Sequence, residues 1–502
     1  MPTLYRYVPH FYRDSVSLMQ FAQSLKSRLG ADDATAVMAT AANLALLRES
    51  GLLAEALDPR PDDLLLVIRG AKVGEDDLGA AAEELRRPVR ASDEKAPEAG
   101  QPPGSVAEAV ARAADLNFAL VSVPGDYAAA EGLKAMAAGL HVMLFSDNVP
   151  VAREIFLKAE ARRRGLLLLG PDCGTSIVNG VPLGFANRVR RGPVGVVSAS
   201  GTGAQEVTSL LDRWGSGVSQ ALGTGGRDLS EEVAGQATLA SLEVLAADPA
   251  TRVVIVVSKP PAVSARQTLE ARLAVLDKPS IVCFVGEPGS PSLAEAARQA
   301  FRLAEGRDPD PAEPPGLPPN RAPVPAGGRW LRGLYAGGTL CAEAAFLAAR
   351  ALGTVRSNVH VQGVLPLEDP WISVGHTLVD LGDDEFTRGR PHPMIDQSLR
   401  LDRLARETAD PEVAALLVDV ILGYGSHPDP AAELAAWLNS LPGRPGGLPV
   451  PVFASVTGTE ADPQSWSASV AVLRRSGVAA YGSSAEAVAA ALAWVASLQD
   501  NP

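Results

Sequence analysis

Apolar runs of strand length alternate with Ala-, Leu-, Glu- and Arg-rich segments of helical length along almost the whole chain. This alternation constrains the fold strongly. Parallel strands need crossover connections, and the helices in those connections cover both faces of the sheet. The strand-length runs are Thr35–Met38, Leu64–Ile68, Phe118–Val123, Val142–Phe145, Leu166–Leu169, Val194–Val197, Val253–Val257 and Ser280–Val285. Beyond them come Gly333–Ala336, Thr377–Asp380, Ala415–Ile421, Val450–Ser455 and Ala479–Tyr481. Helical segments such as Val151–Arg164 and Ala431–Leu438 lie between. The pattern predicts an α/β protein of parallel sheets, and 502 residues exceed one ordinary core.

Two stretches break the rhythm. Ala91–Gly104 is charged and rich in Pro and Gly, and reads as a surface loop. Gly306–Gly328 carries Pro309, Pro311, Pro314, Pro315, Pro318, Pro319, Pro323 and Pro325, which excludes a helix or a central strand and predicts a semi-rigid linker. A weaker break falls at Gly192-Pro193. The expected division is a unit at 1–191, a second at 192–305, a linker at 306–329 and a third unit at 330–502.

Net charge and cysteine use narrow the function classes. A formal charge of −13 argues against nucleic acid or an anionic membrane as partner. The three cysteines, Cys173, Cys283 and Cys341, form no CxxC and cannot all pair, which predicts a reducing cytoplasm. No long apolar run opens the chain as a signal peptide would, and no run is long enough to span a membrane. The six histidines stand in no metal-ligand spacing, so no metal is expected.

One short pattern occurs twice. Gly201-Thr202-Gly203-Ala204-Gln205-Glu206 follows Val194–Ser198, and Gly338-Thr339-Leu340-Cys341-Ala342-Glu343 follows Leu331–Ala336. Both read G-T-x-x-x-E where a strand turns into a helix. A helix start presents unpaired N–H groups and a positive dipole end, which favour an anion. The pattern has two readings: ordinary strand–turn–helix corners, or two helix starts that grip one anion from two sides. Ligands of open α/β sheets sit at the carboxyl ends of strands. On the second reading Ser200, Gly201, Thr202, Gly203, Gly337, Gly338 and Thr339 bind phosphate or a small anionic substrate.

Residues 116–290 resemble the α subunit of succinyl-CoA synthetase. The resemblance rests on Phe118–Ala130, Gly170-Pro171-Asp172-Cys173-Gly174, Val194–Thr202 and Gly223-Thr224-Gly225-Gly226-Arg227-Asp228. Residues 331–500 resemble, more faintly, the carboxyl-terminal domain of the β subunit. This arrangement, with Asp14–Met19, His376–Asp384 and Arg390–Asp396, is similar to the FdrA family. It implies a Rossmann-like domain of coenzyme-A-binding type, then two flavodoxin-like domains.

Departures from the ligase pattern carry the chemistry. In the resembled ligases a phosphorylated histidine follows the strand matching Ser280–Val285. Here that strand runs into Gly286-Glu287-Pro288-Gly289, and the next histidine is His360. Where those ligases place a glutamate after the preceding strand, this chain has Ser258-Lys259-Pro260. Lys259 is either a cation for a bound anion or a solvated strand end. No ATP-grasp domain, Walker motif or glycine-rich coenzyme A loop is present, so coenzyme A is in doubt and no cofactor is assigned. The segment Arg388–Arg400 offers Arg388, Arg390, His392, Asp396 and Arg400. Asp396 and Arg400 could pair on a helix face. His392, between two prolines, is either a proton-transfer group beside the anion site or a packed corner residue.

The resemblance implies a subunit of an oxamate carbamoyltransferase of purine (allantoin) breakdown, acting with other subunits. That reaction turns oxalurate and phosphate into oxamate and carbamoyl phosphate, with phosphate as substrate. Lys259 and Arg390 would neutralise charge, Asp396 would help bind substrate and His392 would move a proton. Two other readings stay open: an ADP-forming acyl-CoA synthetase with a separate ATP-grasp chain, and a non-catalytic ligand-binding scaffold.

Overall fold

The computed structural model describes residues 3–11, 13, 15–53, 59–60, 63–86, 102–310, 328–388, 390–441 and 450–499. Most of the expected loop Ala91–Gly104 and most of the proline-rich linker lie outside the described residues. The chain is an α/β protein with mostly parallel sheets, as its alternation predicts. No described helix is long and apolar enough to cross a membrane. The chain divides into two compact units, Met1–Leu116 with Asp384–Pro391, and Asn117–Asp383 with His392–Pro502.

The first unit contains β1 (Thr3–Val8), α1 (Ser15–Leu29), β2 (Asp33–Met38), α2 (Ala41–Glu49), β3 (Leu64–Arg69), α3 (Glu75–Arg86) and α4 (Val106–Arg112). Its sheet runs β1-β3-β2, and both pairings are antiparallel, with Leu4 opposite Ile68 and Ala36 opposite Leu66. This corrects the expectation of a parallel, Rossmann-like sheet opening the chain. The physical reason is burial on both faces of β3. Leu64, Leu66 and Ile68 pack with Leu18, Leu25 and Leu78, while Leu65 and Val67 pack with Leu44 and Leu47. A strand covered on both faces is apolar throughout whichever way its neighbours run.

The second unit opens with β4 (Phe118–Val121), α5 (Gly125–Ala137), β5 (His141–Leu144), α6 (Val151–Arg164) and β6 (Leu168–Leu169), which form a parallel sheet in the order β4-β5-β6. The antiparallel hairpin β7 (Thr175–Val178) and β8 (Val181–Gly184) joins the next sheet, although the sequence reading placed it in the opening unit. That sheet continues with β9 (Arg191–Ser198), α7 (Gly201–Arg213), β10 (Val218–Gly223), α8 (Gln236–Ala247), β11 (Val253–Ser258), α9 (Val263–Ala274), β12 (Ser280–Phe284) and α10 (Leu293–Glu305). Its order is β12-β11-β9-β10-β7-β8.

The last sheet begins with β13 (Trp330–Tyr335), α11 (Gly338–Leu352), β14 (Val355–Ser357), β15 (Leu365–Pro366) and β16 (His376–Asp380). After α12 (Asp384–Thr387), which is grouped with the first unit, come α13 (Ser398–Ala409), β17 (Val413–Ile421), α14 (Pro430–Ser440), β18 (Val452–Thr457), α15 (Trp466–Arg475), β19 (Ala479–Tyr481) and α16 (Ser484–Gln499). The order is β15-β14-β16-β13-β17-β18-β19, parallel throughout. A single apolar cluster joins the two large sheets through Val207 and Leu211 of α7, Phe301 of α10, Leu340 and Ala344 of α11 and Val488 of α16.

The glutamates of the repeated pattern lock this junction reciprocally. Glu206 of α7 accepts hydrogen bonds from Ser484 N at the start of α16 (2.8 Å) and from Thr457 Oγ1 (2.5 Å). Glu343 of α11 accepts one from Leu293 N at the start of α10 (2.8 Å). Each helix thus caps the last helix belonging to the other sheet. Arg213 of α7 adds a donor to Gly458 O (2.8 Å).

Gly225, in the turn after β10, has φ +88°, and a Cβ there would lie 2.0 Å from Pro171 O. Gly225→Ala is expected to destabilise the fold by about 1–3 kcal/mol from the backbone conformation alone, with the clash adding to it. Urea unfolding of the variant checks this; an unchanged midpoint contradicts it.

Candidate functional site

β9 and β13 are central, parallel strands, and each feeds its helix through a tight turn. The two helix starts meet. Ser200, the N-cap of α7, accepts from Gly203 N (2.9 Å), and its Oγ lies 2.5 Å from Thr339 Oγ1 at the start of α11. Thr202 returns the contact: a Cβ on Gly337 would lie 2.9 Å from its Cγ2. Each threonine of the pattern therefore leans on the residue that precedes the other helix.

The N–H groups of Gly201, Thr202, Gly338, Thr339 and Leu340 have no partner among the described residues. Ser200, Gly201, Thr202 and Gly338 are half-buried, so solvent reaches this point. Converging, unpaired N–H groups at two positive helix ends favour an anion.

Behind the turn sits Asp419 of β17, fully buried. Its carboxylate accepts from Ala336 N and Gly337 N, both at 2.8 Å, and pairs with Arg400 Nη1 at 3.0 Å. Arg400 also donates to Asp419 O (2.6 Å) and to Gln397. This corrects the expected Asp396–Arg400 pair. Asp396 precedes α13 and accepts from Ser398 N (2.8 Å) and Ser398 Oγ (2.5 Å), leaving Arg400 to hold β17.

Asp380, at the carboxyl end of β16, faces the α11 start. Its Oδ1 accepts from Gly382 N (2.9 Å), and its Oδ2 lies 2.4 Å from where a Cβ of Gly338 would stand. Burial raises its carboxyl to about 7, against the bond from Gly382 and the charge of Lys259. Lys259, at the exposed end of β11, is thus close enough to stabilise the ionised form of Asp380.

His392 belongs to the same site. A Cβ on Gly382 would lie 2.6 Å from His392 Nε2 and 3.1 Å from Asp380 Oδ1. Nδ1 accepts from Met394 N (3.2 Å), which assigns the proton to Nε2. The ring packs 6.3 Å from that of Phe185, and burial lowers its pKa to about 4. His392 is therefore neutral at physiological pH, a donor through Nε2, and does not titrate near neutrality as the sequence reading expected. Arg390 is exposed and belongs to the first compact unit.

The loop after β12, which holds no histidine, is closed by an ion pair between Glu287 and Arg266. With Pro260, the neighbour of Lys259, it borders a cleft of about 640 Å³ whose other wall carries His360 and Gln362 from the loop after β14. Sequence reasoning missed Asp380 and Asp419. A signal existed for Asp419, which interrupts the apolar run Val413–Ile421. A charged group within a buried strand is retained when it is paired.

Comparison with known proteins fits this architecture. Residues 334–494 match the CoA-ligase family, and residues 1–103 match the AllF heavy metal-associated domain family. The chain is 38% identical over 474 residues to the uncharacterized protein YahF of Escherichia coli (strain K12), covering 90% of this chain and 91% of that protein. It is 30% identical over 189 residues to the mitochondrial ADP-forming succinate–CoA ligase subunit alpha-2 of Trichomonas vaginalis, covering 36% of this chain and 60% of that subunit. It is 31% identical over 159 residues to the corresponding alpha 2 subunit of Archaeoglobus fulgidus, covering 31% and 54%. A heavy metal does not fit the matched amino-terminal segment. It contains no cysteine and a single histidine, His10, so it offers a soft metal no thiolate and only the scattered thioethers Met1, Met19 and Met38. Among the described residues no group of three or more His, Cys, Asp or Glu could hold a metal ion.

Proposed function

The chain belongs to the family of the Escherichia coli protein YahF and carries a CoA-ligase domain, and from that premise we propose that it is an FdrA-type subunit of a phosphate-dependent carbamoyl transfer enzyme. The observation that carries this reading is the convergence of the α7 and α11 starts with their unpaired N–H groups, with Lys259 near Asp380 and no histidine in the loop after β12. The cradle then receives a free anion rather than a phosphorylated side chain.

In this reading phosphate lies against the N–H groups of Gly201 and Thr202, with Lys259 balancing its charge. A phosphate oxygen forms the new bond to the carbamoyl carbon of oxalurate, and the bond from that carbon to the oxamate nitrogen breaks. That nitrogen takes the proton that phosphate gives up. The N–H groups of Gly338 and Thr339 donate to the neutral carbamoyl oxygen of oxalurate and polarise that carbonyl. His392 Nε2–H orients the substrate through a neutral hydrogen bond. The oxalurate chemistry comes from the FdrA resemblance, and the other subunits from the same source.

Coenzyme A is assigned no step. The likeness to succinate–CoA ligase α subunits supports a second reading, an ADP-forming acyl-CoA synthetase with a separate ATP-grasp partner.

Phosphate is expected to protect the chain against thermal unfolding, by about 2.7 kcal/mol at a hundred times its dissociation constant. Thr202→Glu and Thr339→Glu should each remove that protection; unchanged protection overturns the shared cradle. With its operon partners, the protein should release carbamoyl phosphate from oxalurate and phosphate. ADP formation with a carboxylic acid and coenzyme A would favour the ligase reading instead.

A further inference from the structure

Asp380 holds a place in this site that an anion cradle alone does not explain. It is 9% exposed. Asn358 fixes its backbone from both sides, accepting from Asp380 N and donating to Asp380 O, each at 2.9 Å. Oδ1 is bonded to Gly382 N, whereas Oδ2 accepts no hydrogen bond among the described residues. That oxygen points at the α11 start, where it leaves no room for a Cβ on Gly338.

A carboxylate oxygen here repels an anion from α11 and leaves it the α7 start and Lys259. It also presents an unmet acceptor one helix start away from the anion. An anion site beside an open carboxylate acceptor describes a small acid that carries an amide N–H. We infer that Asp380 is the specificity-determining residue of the site: its Oδ2 accepts an amide N–H, so that carbamoyl and oxamate-type ligands are selected over their methyl isosteres. The inference rests on the cradle and the amide substrate proposed above, and names the residue that selects that substrate.

The groups facing Asp380 agree with this role. Lys259, from the end of β11, favours its ionised form, while Asp383 in its own loop and Asp419 on β17 oppose it. The Asp380 charge adds to burial in raising the thiol pKa of Cys341 on α11, and the His392 ring stands across Gly382. A carboxyl near neutrality can accept or donate, and an amide answers both because it is donor and acceptor at once.

The test compares oxamate with pyruvate, which replaces the amide –NH₂ by –CH₃ at similar size and keeps the carboxylate. Binding of each, and of inorganic phosphate, is measured by calorimetry on the full chain near neutral pH. Oxamate is expected to bind at least about tenfold more tightly than pyruvate, the scale of one hydrogen bond to a charged group. In Asp380→Leu the two should bind within about twofold, and in Asp380→Asn, which keeps a carbonyl acceptor, the preference should persist. Equal binding of oxamate and pyruvate to the wild-type chain, with phosphate still bound, overturns the inference and leaves the cradle standing. A preference that survives in Asp380→Leu also overturns it. Failure of phosphate to bind overturns the cradle itself.

Discussion

Arg400→Leu is expected to lower the unfolding free energy by about 3–5 kcal/mol, the cost of leaving a buried charge without its partner. Arg400 is 2% exposed and Asp419 is fully buried. The Asp419 carboxylate holds Ala336 N and Gly337 N, the two backbone groups that shape the entry to α11. Burial already raises its pKa, and Arg400 is the leading influence that counters this. Without the guanidinium, Asp419 must take up a proton or draw water into the strand, and the α11 start loosens. Adding Asp419→Asn to Arg400→Leu should recover part of the loss, because the amide oxygen still accepts while the charge is gone. Urea unfolding of both variants reads the effect. A loss below about 1 kcal/mol in Arg400→Leu would mean that Asp419 is solvated and that the pair does not hold the turn.

Glu343→Gln is expected to make the chain more stable above pH 7 and to flatten its stability–pH profile. Burial raises the Glu343 carboxyl to about 7. A carboxyl whose pKa is higher folded than unfolded binds more protons in the native state between the two values. Stability therefore falls as pH rises from about 4.5 to about 7, and the deficit persists above that. For a shift of this size the deficit is of the order of 3 kcal/mol. Glutamine keeps an acceptor for Leu293 N. Its amide also brings a donor to the buried Ser484 hydroxyl that neighbours Glu343. Unfolding free energies of the wild-type chain and the variant at pH 5 and pH 8 check this. Equal pH dependence in the two proteins contradicts it and places the titration elsewhere. Asp380 shifts in the same direction, so the variant should keep a residual slope.

Much of the fold was legible in order of segments. β9, β11, β12, β13, β16 and β17 all fall on apolar runs read directly, and the repeated pattern marked both helix starts. Local chemistry suffices there, since a buried parallel strand must be apolar and a helix start must follow a tight turn. The site was legible in part. Ser200, Thr202 and Thr339 stand at the two helix starts that the pattern marks, and Lys259 follows β11, near enough to Asp380 to favour its ionised form. Asp380 and Asp419 were not legible, because their roles depend on which strands neighbour β13. The glutamates of the pattern also changed meaning. They share the anion motif in sequence, yet they point away from it to cap helices of the opposite sheet.

By itself the sequence determined the α/β class, the two helix starts, and the absence of a histidine after β12. These are properties of residue type and short-range spacing. Only the tertiary structure decided that the opening sheet is antiparallel, that Arg400 serves Asp419, and that the two helix starts touch with Asp380 and His392 beside them. Strand direction, ion-pair choice and convergence are set by contacts between segments far apart in the chain, where burial on both faces and the need to pair every buried charge select one arrangement.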